Sequence, residues 1–488
     1  MADNVQYKMN RLNSNAPRVL DLFSGCGGMS LGFHKAKYQI LGGLEIDPKA
    51  AETHGKNFFK DESHVILSNH IFSHDITKCN PQKFAQTVLK RPNAKLERLV
   101  DFIIGGPPCQ AFARIGRAKL REIMEHPEAF LTDERANLYT NFLEYVEAFK
   151  PIAILMENVP DIMNYGGKNI AEEIVASLDE MGYKSKYSIL NAAHYGVPQM
   201  RQRFYLIAIL KTLQIEPTFP NPTHYIELPR GYESAQQVAL KAMPLPLFRG
   251  KTGFVTCPKP TPDLTPAVTT EKAISDLPKI FSHLTGQMKR GAKTFNTLVK
   301  YRKDTHENNY VNMLKTWTGF EAEKGVWDHV IRYLPRDYEL FRRMKPGDQY
   351  PEVYQLALTM FNKALLNYER ETQIKLDEQS KEYHELRRSI VPPYSPKKFP
   401  NKWRKLESDK PARTLTAHIG KDTYSHIHYD SEQARVISVR EAARLQSFPD
   451  GFKFCGAMNS AFRQIGNAVP PIQAYALAKH IKALILKN

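Results

Sequence analysis

The chain has few cysteines and none that pair. Cys26, Cys79, Cys109, Cys257 and Cys455 stand singly along 488 residues, with no short spacing between any two. That pattern excludes a disulfide framework, suits a reducing compartment and offers no zinc-ligand spacing. His426 and His428 are neighbours, yet no cysteine or further histidine lies at ligand spacing, so they read as structural. No apolar run approaches the ~20 residues needed to span a bilayer. Met1 to Pro17 is polar and lacks the apolar centre of a secretory leader. There is no internal repeat and no low-complexity tract. Together these absences predict a cytosolic chain with no membrane partner and no metal.

Positive charge is what the sequence has in excess. Lys and Arg number 68 against 51 Asp and Glu, a net +17. Residues 217–410 hold 32 basic and 22 acidic residues, so this segment carries +10 and the other 294 residues share +7. A basic centre points to a polyanion such as nucleic acid, although a solvated, mildly basic surface gives the same count.

At this length two domains are the expectation, and 42% hydrophobic residues can fill their cores. From Arg18 to about Leu210, strand-like runs (Arg18–Phe23, Tyr38–Glu45, Val100–Ile104, Ile152–Met156, Tyr187–Asn191 and Arg203–Ile209) alternate with helical stretches such as Ala136–Phe149 and Asn169–Met181. The alternation predicts an α/β domain, a mostly parallel sheet covered on both faces. Prolines crowd the chain from Pro217 to Pro266, which places a boundary there. Pro351 to Ile390 lacks breakers and carries Leu356, Met360, Leu365 and Tyr368 at helical intervals, predicting a helical hairpin or insert. Ser438–Gln446 reads as a helix with a serine cap and Glu441 three residues on, and Pro471–Leu486 as a closing amphipathic helix. The expected division is residues 1–215, 216–429, and 430–488 returning to the first domain.

The chemistry-bearing motifs sit where strands end. Val19-Leu20-Asp21-Leu22-Phe23 runs into Ser24-Gly25-Cys26-Gly27-Gly28, a glycine-rich turn opening a helix, where a backbone can approach an anionic or nucleoside ligand closely. Glu45 ends the next strand, where a carboxylate can bind a ribose hydroxyl pair. Asp75, with Ile76, is placed near the end of a third strand, beside an adenine. The turn alone would also fit a dinucleotide oxidoreductase, but its glycines miss the strict GxGxxG spacing. Gly105-Gly106-Pro107-Pro108-Cys109-Gln110 follows an apolar strand and holds a thiol on a tight turn. Such a cysteine is a nucleophile if its surroundings favour the thiolate, and otherwise a small residue in a proline-rich turn. Glu157, in Met156-Glu157-Asn158-Val159, reaches another strand end. Arg201 and Arg203 project on one side of the extended run Gln199–Arg203. Gly466-Asn467-Ala468-Val469-Pro470-Pro471 precedes the last helix. Singly, these are also a helix cap, surface charges and a turn.

Taken together, DLFSGCGG, Glu45, Asp75, GGPPCQ, MENV, QMRQR and GNAVPP, in that order, resemble the DNA cytosine-5 methyltransferase family very closely. KPARTLT (residues 410–416) and REAARLQSFPDGF (residues 440–452) add to the likeness. The resemblance covers residues 18–210 and roughly 410–488. The middle matches no nameable pattern, as expected of a region that reads DNA sequence. It implies a Rossmann-like sheet of the class I S-adenosylmethionine-dependent methyltransferases with a second, smaller, mixed target-recognition domain. It also implies a monomer acting on double-stranded DNA in the bacterial cytosol, protecting it beside a cognate restriction endonuclease.

The implied mechanism is covalent. Cys109 adds to carbon 6 of a cytosine flipped from the duplex, which makes carbon 5 nucleophilic. Glu157 holds ring nitrogen 3 and the exocyclic amine, Arg203 the carbonyl oxygen, and Arg201 supports the pocket. The donor is S-adenosyl-L-methionine, leaving as S-adenosyl-L-homocysteine, with no metal. Phe23, Gly25, Gly27 and Gly28 would line its path, with Ser24 and Ile76 beside them. Glu45 would take the ribose, Ile46 pack on the adenine and Asp75 bind its amino group. Gly106 and Pro108 would approach from the catalytic loop, and Asn467 and Val469 close the methionine end. Two departures stand out. Ala113 replaces the family's usual serine after Phe112, and the stretch from Arg114 to Asp133 is longer than usual, with Arg114, Arg117, Lys119 and Arg121 suited to closing over DNA. Arg332, Arg336, Arg342, Arg343 and Lys345 are candidate DNA contacts or surface ion pairs. Alternatives are a tRNA cytosine-5 methyltransferase of the same family, for which the variable segment is large, a catalytically silent DNA-binding homologue, and a nicotinamide oxidoreductase.

Overall fold

The computed structural model describes residues 2–107, 138–164, 169–229, 231–232, 252–288, 297–302 and 308–486. Apolar runs with no polar alternation become the middle of a sheet, because strands buried on both faces need apolar side chains on both. Strands β1 (Arg18–Leu22), β2 (Gln39–Leu44), β3 (Phe102–Gly105), β4 (Ala153–Asn158), β5 (Tyr183–Asn191) and β6 (Gln202–Leu210) form one six-stranded sheet in the order β2-β1-β3-β4-β6-β5. β1 to β4 run parallel, and β6 lies antiparallel between β4 and β5. The fold is therefore α/β with a mostly parallel central sheet.

β5 begins at Tyr183, earlier than the apolar run from Tyr187 suggests. Lys184 and Lys186 both pair with Glu216. Charged side chains on an edge strand blunt its open side, and they also mask it as a strand in the sequence. The third strand expected to end near Asp75 is absent. Ser63 caps a short helix, His64–Ile71, accepting from Ile66 N at 3.4 Å, and His70 stacks on Phe59 at 3.7 Å. Asp75 follows in a turn, with only His74 N bonded to Glu45 O at 2.7 Å.

Helices cover the sheet. α1 (Gly28–Lys35) follows β1, α2 (Pro48–Phe58) follows β2, α3 (Leu138–Phe149) precedes β4 and α4 (Ile170–Glu180) precedes β5. The expected hairpin forms as α5 (Tyr350–Thr372) and α6 (Lys381–Ile390). α7 (Val439–Leu445) is opened by the Ser438–Glu441 capping box, and α8 (Met458–Asn467) leads to α9 (Pro471–Leu486). α9 returns to α1 so closely that a Cβ on Gly32 would lie 2.4 Å from Tyr475 N. A second core gathers Trp317, Phe320, Leu415, Ile437, Phe448 and Phe462 from the middle and the end of the chain, together with Leu31 of α1. Around the hairpin a third group packs, with Trp403 stacked on Tyr424 at 4.5 Å. Among the described residues no helix is long and apolar enough to cross a membrane.

Candidate active site

Strand register places the separate motifs side by side. Leu44, Leu22, Gly105 and Met156 form one row across β2, β1, β3 and β4. Their successors Glu45, Phe23, Gly106 and Glu157 therefore stand together at one edge, the carboxyl end of the parallel strands where α/β sheets hold ligands, with Glu157 still paired to Tyr205 of β6. All four line a cavity of about 840 Å³.

On the β1–β2 side the wall is the glycine-rich turn. Phe23 takes a left-handed backbone, φ 58°, which a bulky residue adopts only under strain, and Gly25 follows at φ 54°. Ser24, Gly25 and Gly28 face the cavity. Gly28 is needed because a Cβ there would meet Val469 O at 2.3 Å. Glu45 accepts from Gly25 N at 2.9 Å and from Asp47 N at 2.8 Å. Burial pushes its carboxyl above the ordinary range, against the pull of those amide donors. Ile46, 64% exposed, presents an apolar face at the rim. Asp21 Oδ1 and Ser24 Oγ are buried and have no hydrogen-bond partner among the described residues.

On the β3–β4 side, Glu157 accepts from Arg203 Nε at 3.1 Å. A Cβ on Gly106 would lie 3.0 Å from Glu157 Oε2, so the glycine makes room for the carboxylate. Burial raises the Glu157 carboxyl above the usual glutamate range, while Arg203 and Arg201 pull it down. Asn158 Nδ2 donates to Pro107 O at 3.2 Å and ties the exit of β3 to β4. Arg201 is fully buried although it borders the cavity, and its Nη1 donates to Leu415 O at 2.6 Å and Gly466 O at 3.2 Å.

The third wall comes from the end of the chain. Asn467 and Val469 line it, joined by Thr416, Ala417, His418 and Arg463, which sequence reasoning did not select. Thr416 ends the KPARTLT motif and Arg463 lies just before GNAVPP, while His418 had no signal. Gln199 and Gln446 explain how this wall is held. Gln199 Oε1 accepts from Leu415 N at 2.8 Å, its amide nitrogen donates to Gln446 Oε1, and Gln446 in turn donates to Ala468 O.

Not every expected residue is gathered. Gly27 turns its α-carbon toward α2, where a Cβ would lie 2.5 Å from the Phe58 ring. Ile76 is buried in the core beside the sheet. Asp75 does not line the cavity, and its carboxylate accepts from Thr77 N and Oγ1 at 3.0 and 2.7 Å, which holds its pKa below the usual range. Pro108, Cys109, Ala113, Arg114, Arg117, Lys119 and Arg121 lie outside the described residues. Arg336, Arg342 and Arg343 pair with Asp337 and Glu339, as the ion-pair alternative expects, whereas Arg332 donates to the neutral Gly420 O and Asn459 Oδ1. Lys345 is exposed. Among the described residues no three metal-ligating side chains converge.

Comparisons with known proteins agree with this geometry. The family model for C-5 cytosine-specific DNA methylase matches residues 17–483. A protein of Oceanobacillus iheyensis designated type II methyltransferase M.OihORF3336P is 38% identical over 482 residues, covering 98% of this chain and 97% of that protein. Type II methyltransferase M.AgeI of Thalassovita gelatinovora is 30% identical over 477 residues, covering 96% and 100%. A solved structure described as a DNA modification methyltransferase encoded within an E. coli prophage shares the fold, with TM-score 0.59 and 22% identity over 97% of this chain and 100% of that one.

Proposed function

The chain belongs to the C-5 cytosine-specific DNA methylase family and is a DNA cytosine-5 methyltransferase, and from that premise we propose how it works and for what. It acts on one short sequence in double-stranded DNA, flips the target cytosine out and attacks it through Cys109. In the cell it protects DNA from a cognate restriction endonuclease, as expected from relatives named as type II methyltransferases. Residues 216–429 are the segment proposed to read the sequence.

The observation that carries this reading is the single edge at which Glu45, Phe23, Gly106 and Glu157 meet around one cavity. Glu45, the close-packed Gly28, the exposed Ile46 and the unpartnered Asp21 and Ser24 oxygens form a lobe of a size and polarity that fit S-adenosyl-L-methionine. When bound, that donor supplies a methyl group activated by its sulfonium. Glu157, Arg203 and Gly106 form the second lobe, for the base. Cytosine carbon 5 is a poor nucleophile, so thiolate addition at carbon 6 precedes methyl transfer, and loss of the carbon 5 proton then expels the thiolate. Glu157 hydrogen-bonds ring nitrogen 3 and the exocyclic amine as charge develops there, and its burial keeps a proton available. Arg203 orients Glu157 and meets the base's carbonyl oxygen. Arg201 positions rather than contacts, because its Nη1 is held by backbone carbonyls of the facing wall.

Radiolabelled donor incubated with genomic DNA or with bulk tRNA tests the substrate. Label entering DNA and not tRNA is expected. Label in tRNA alone would contradict the reading, and DNA binding without label would indicate a silent homologue.

A further inference from the structure

The facing walls of the candidate donor pocket come from opposite ends of the chain, and bonds to buried side chains join them. Asn57 of α2 exchanges bonds with Lys453, donating to its carbonyl at 2.8 Å and accepting from its amide at 3.2 Å. Cys455 N donates to Thr53 Oγ1 at 2.9 Å. Thr53 and Asn57 are buried, so these bonds form a permanent seam behind the pocket. At the rim lies a bond of another kind. Arg463 Nη2 meets Asp47 Oδ2 at 2.6 Å, with the two side chains 51% and 30% exposed.

Both residues line the cavity. Asp47 directly follows Glu45-Ile46, donates its amide to Glu45, and caps α2 with Oδ1 by accepting from Lys49 N and Ala50 N. Its Oδ2 is thus the oxygen turned to Arg463. Arg463 lies in α8, one turn before Gly466-Asn467 of the facing wall. The pair therefore bridges the rim at two points whose backbones are fixed, while the bridge itself is wet and can open.

We propose that Asp47 and Arg463 are positioning residues forming a clasp across the mouth of the donor pocket, which sets how long the methyl donor is retained. The inference rests on the reading that this cavity binds S-adenosyl-L-methionine. A half-exposed ion pair is screened by salt, so a clasp of this kind weakens as ionic strength rises, whereas the buried seam does not.

The test is the dissociation constant and off-rate of S-adenosyl-L-homocysteine, measured on the full-length protein at low and high salt, with KM and kcat for S-adenosyl-L-methionine. In Arg463→Met, the off-rate and KM are expected to rise about three- to tenfold at low salt, kcat at saturating donor to change less than twofold, and the salt dependence of the wild type to disappear. Asp47→Asn keeps a competent cap and is expected to behave the same way. Wild-type protein that binds no S-adenosyl-L-homocysteine would sink the pocket reading and the clasp with it. Wild-type binding that Arg463→Met leaves unchanged in off-rate and salt dependence would overturn the clasp alone.

Discussion

Glu157 stands in surroundings unlike those of a free glutamate. It is held between a desolvating wall and the Arg203 guanidinium, 3.1 Å away. Burial raises its affinity for a proton, so the protonated acid persists to higher pH than in an ordinary glutamate, and activity that depends on it declines as pH rises through that raised pKa. Glu157→Gln keeps the size and removes the titration. Its kcat is expected to fall about 10²–10⁴-fold, and its pH profile to lose the decline that Glu157 causes, measured by label transfer to DNA from pH 5 to 9. A variant with wild-type turnover would show that the carboxyl plays no part in the chemistry.

At the scale of elements, Arg201 and Arg203 separate although two positions apart on one extended run. Arg203, at the start of β6, faces Glu157, whereas Arg201 pins the Leu415 and Gly466 carbonyls of a remote wall. Arg201→Met strands those buried acceptors and is expected to cost about 2–4 kcal/mol of stability. Arg203→Met is expected to cost only about 1 kcal/mol, because Glu157 can take up a proton, while kcat collapses. Urea denaturation of the two variants beside their kinetics makes the distinction, and equal stability losses would refute it. The alternating pattern alone treats the two arginines alike; the family resemblance implies a base contact for Arg203 and a supporting place for Arg201, but not the wall that Arg201 pins. The strand ends were legible, since Val19–Leu22, Phe102–Ile104 and Ala153–Met156 are apolar runs closed by turn residues. Lys184 and Lys186 hid the start of β5, and the helix His64–Ile71 stood where a strand was expected. Gln199 and Gln446 were in recognised motifs, yet only the fold reveals that they meet, across 247 positions.

Over the whole molecule, the middle of the chain is fastened to its end by buried charge. Arg444 of α7 grips Asp276 with bonds of 2.7 and 3.1 Å and Asp450 with two of 2.7 Å, and all three side chains are at most 3% exposed. Arg444→Met would leave Asp276 to Lys315 and Asp450 to the Tyr301 hydroxyl, without the guanidinium that joins them, and a loss of about 3 kcal/mol is expected in urea denaturation. A loss under about 1 kcal/mol would mean the cluster is not a fastening. Asp276 belongs to residues 216–429, proposed to read the DNA sequence, so the same cluster ties that residue to the end of the chain, whose Asn467 and Val469 line the cavity. The proposed chemistry depends on Cys109, which follows the cavity-lining Pro107 by two positions in the sequence. Bisulfite sequencing of a plasmid recovered from cells expressing the wild type or Cys109→Ala tests it most directly. The expected result is protected cytosines confined to one short motif with the wild type and none with the variant. Protection that survives in Cys109→Ala would contradict the covalent route.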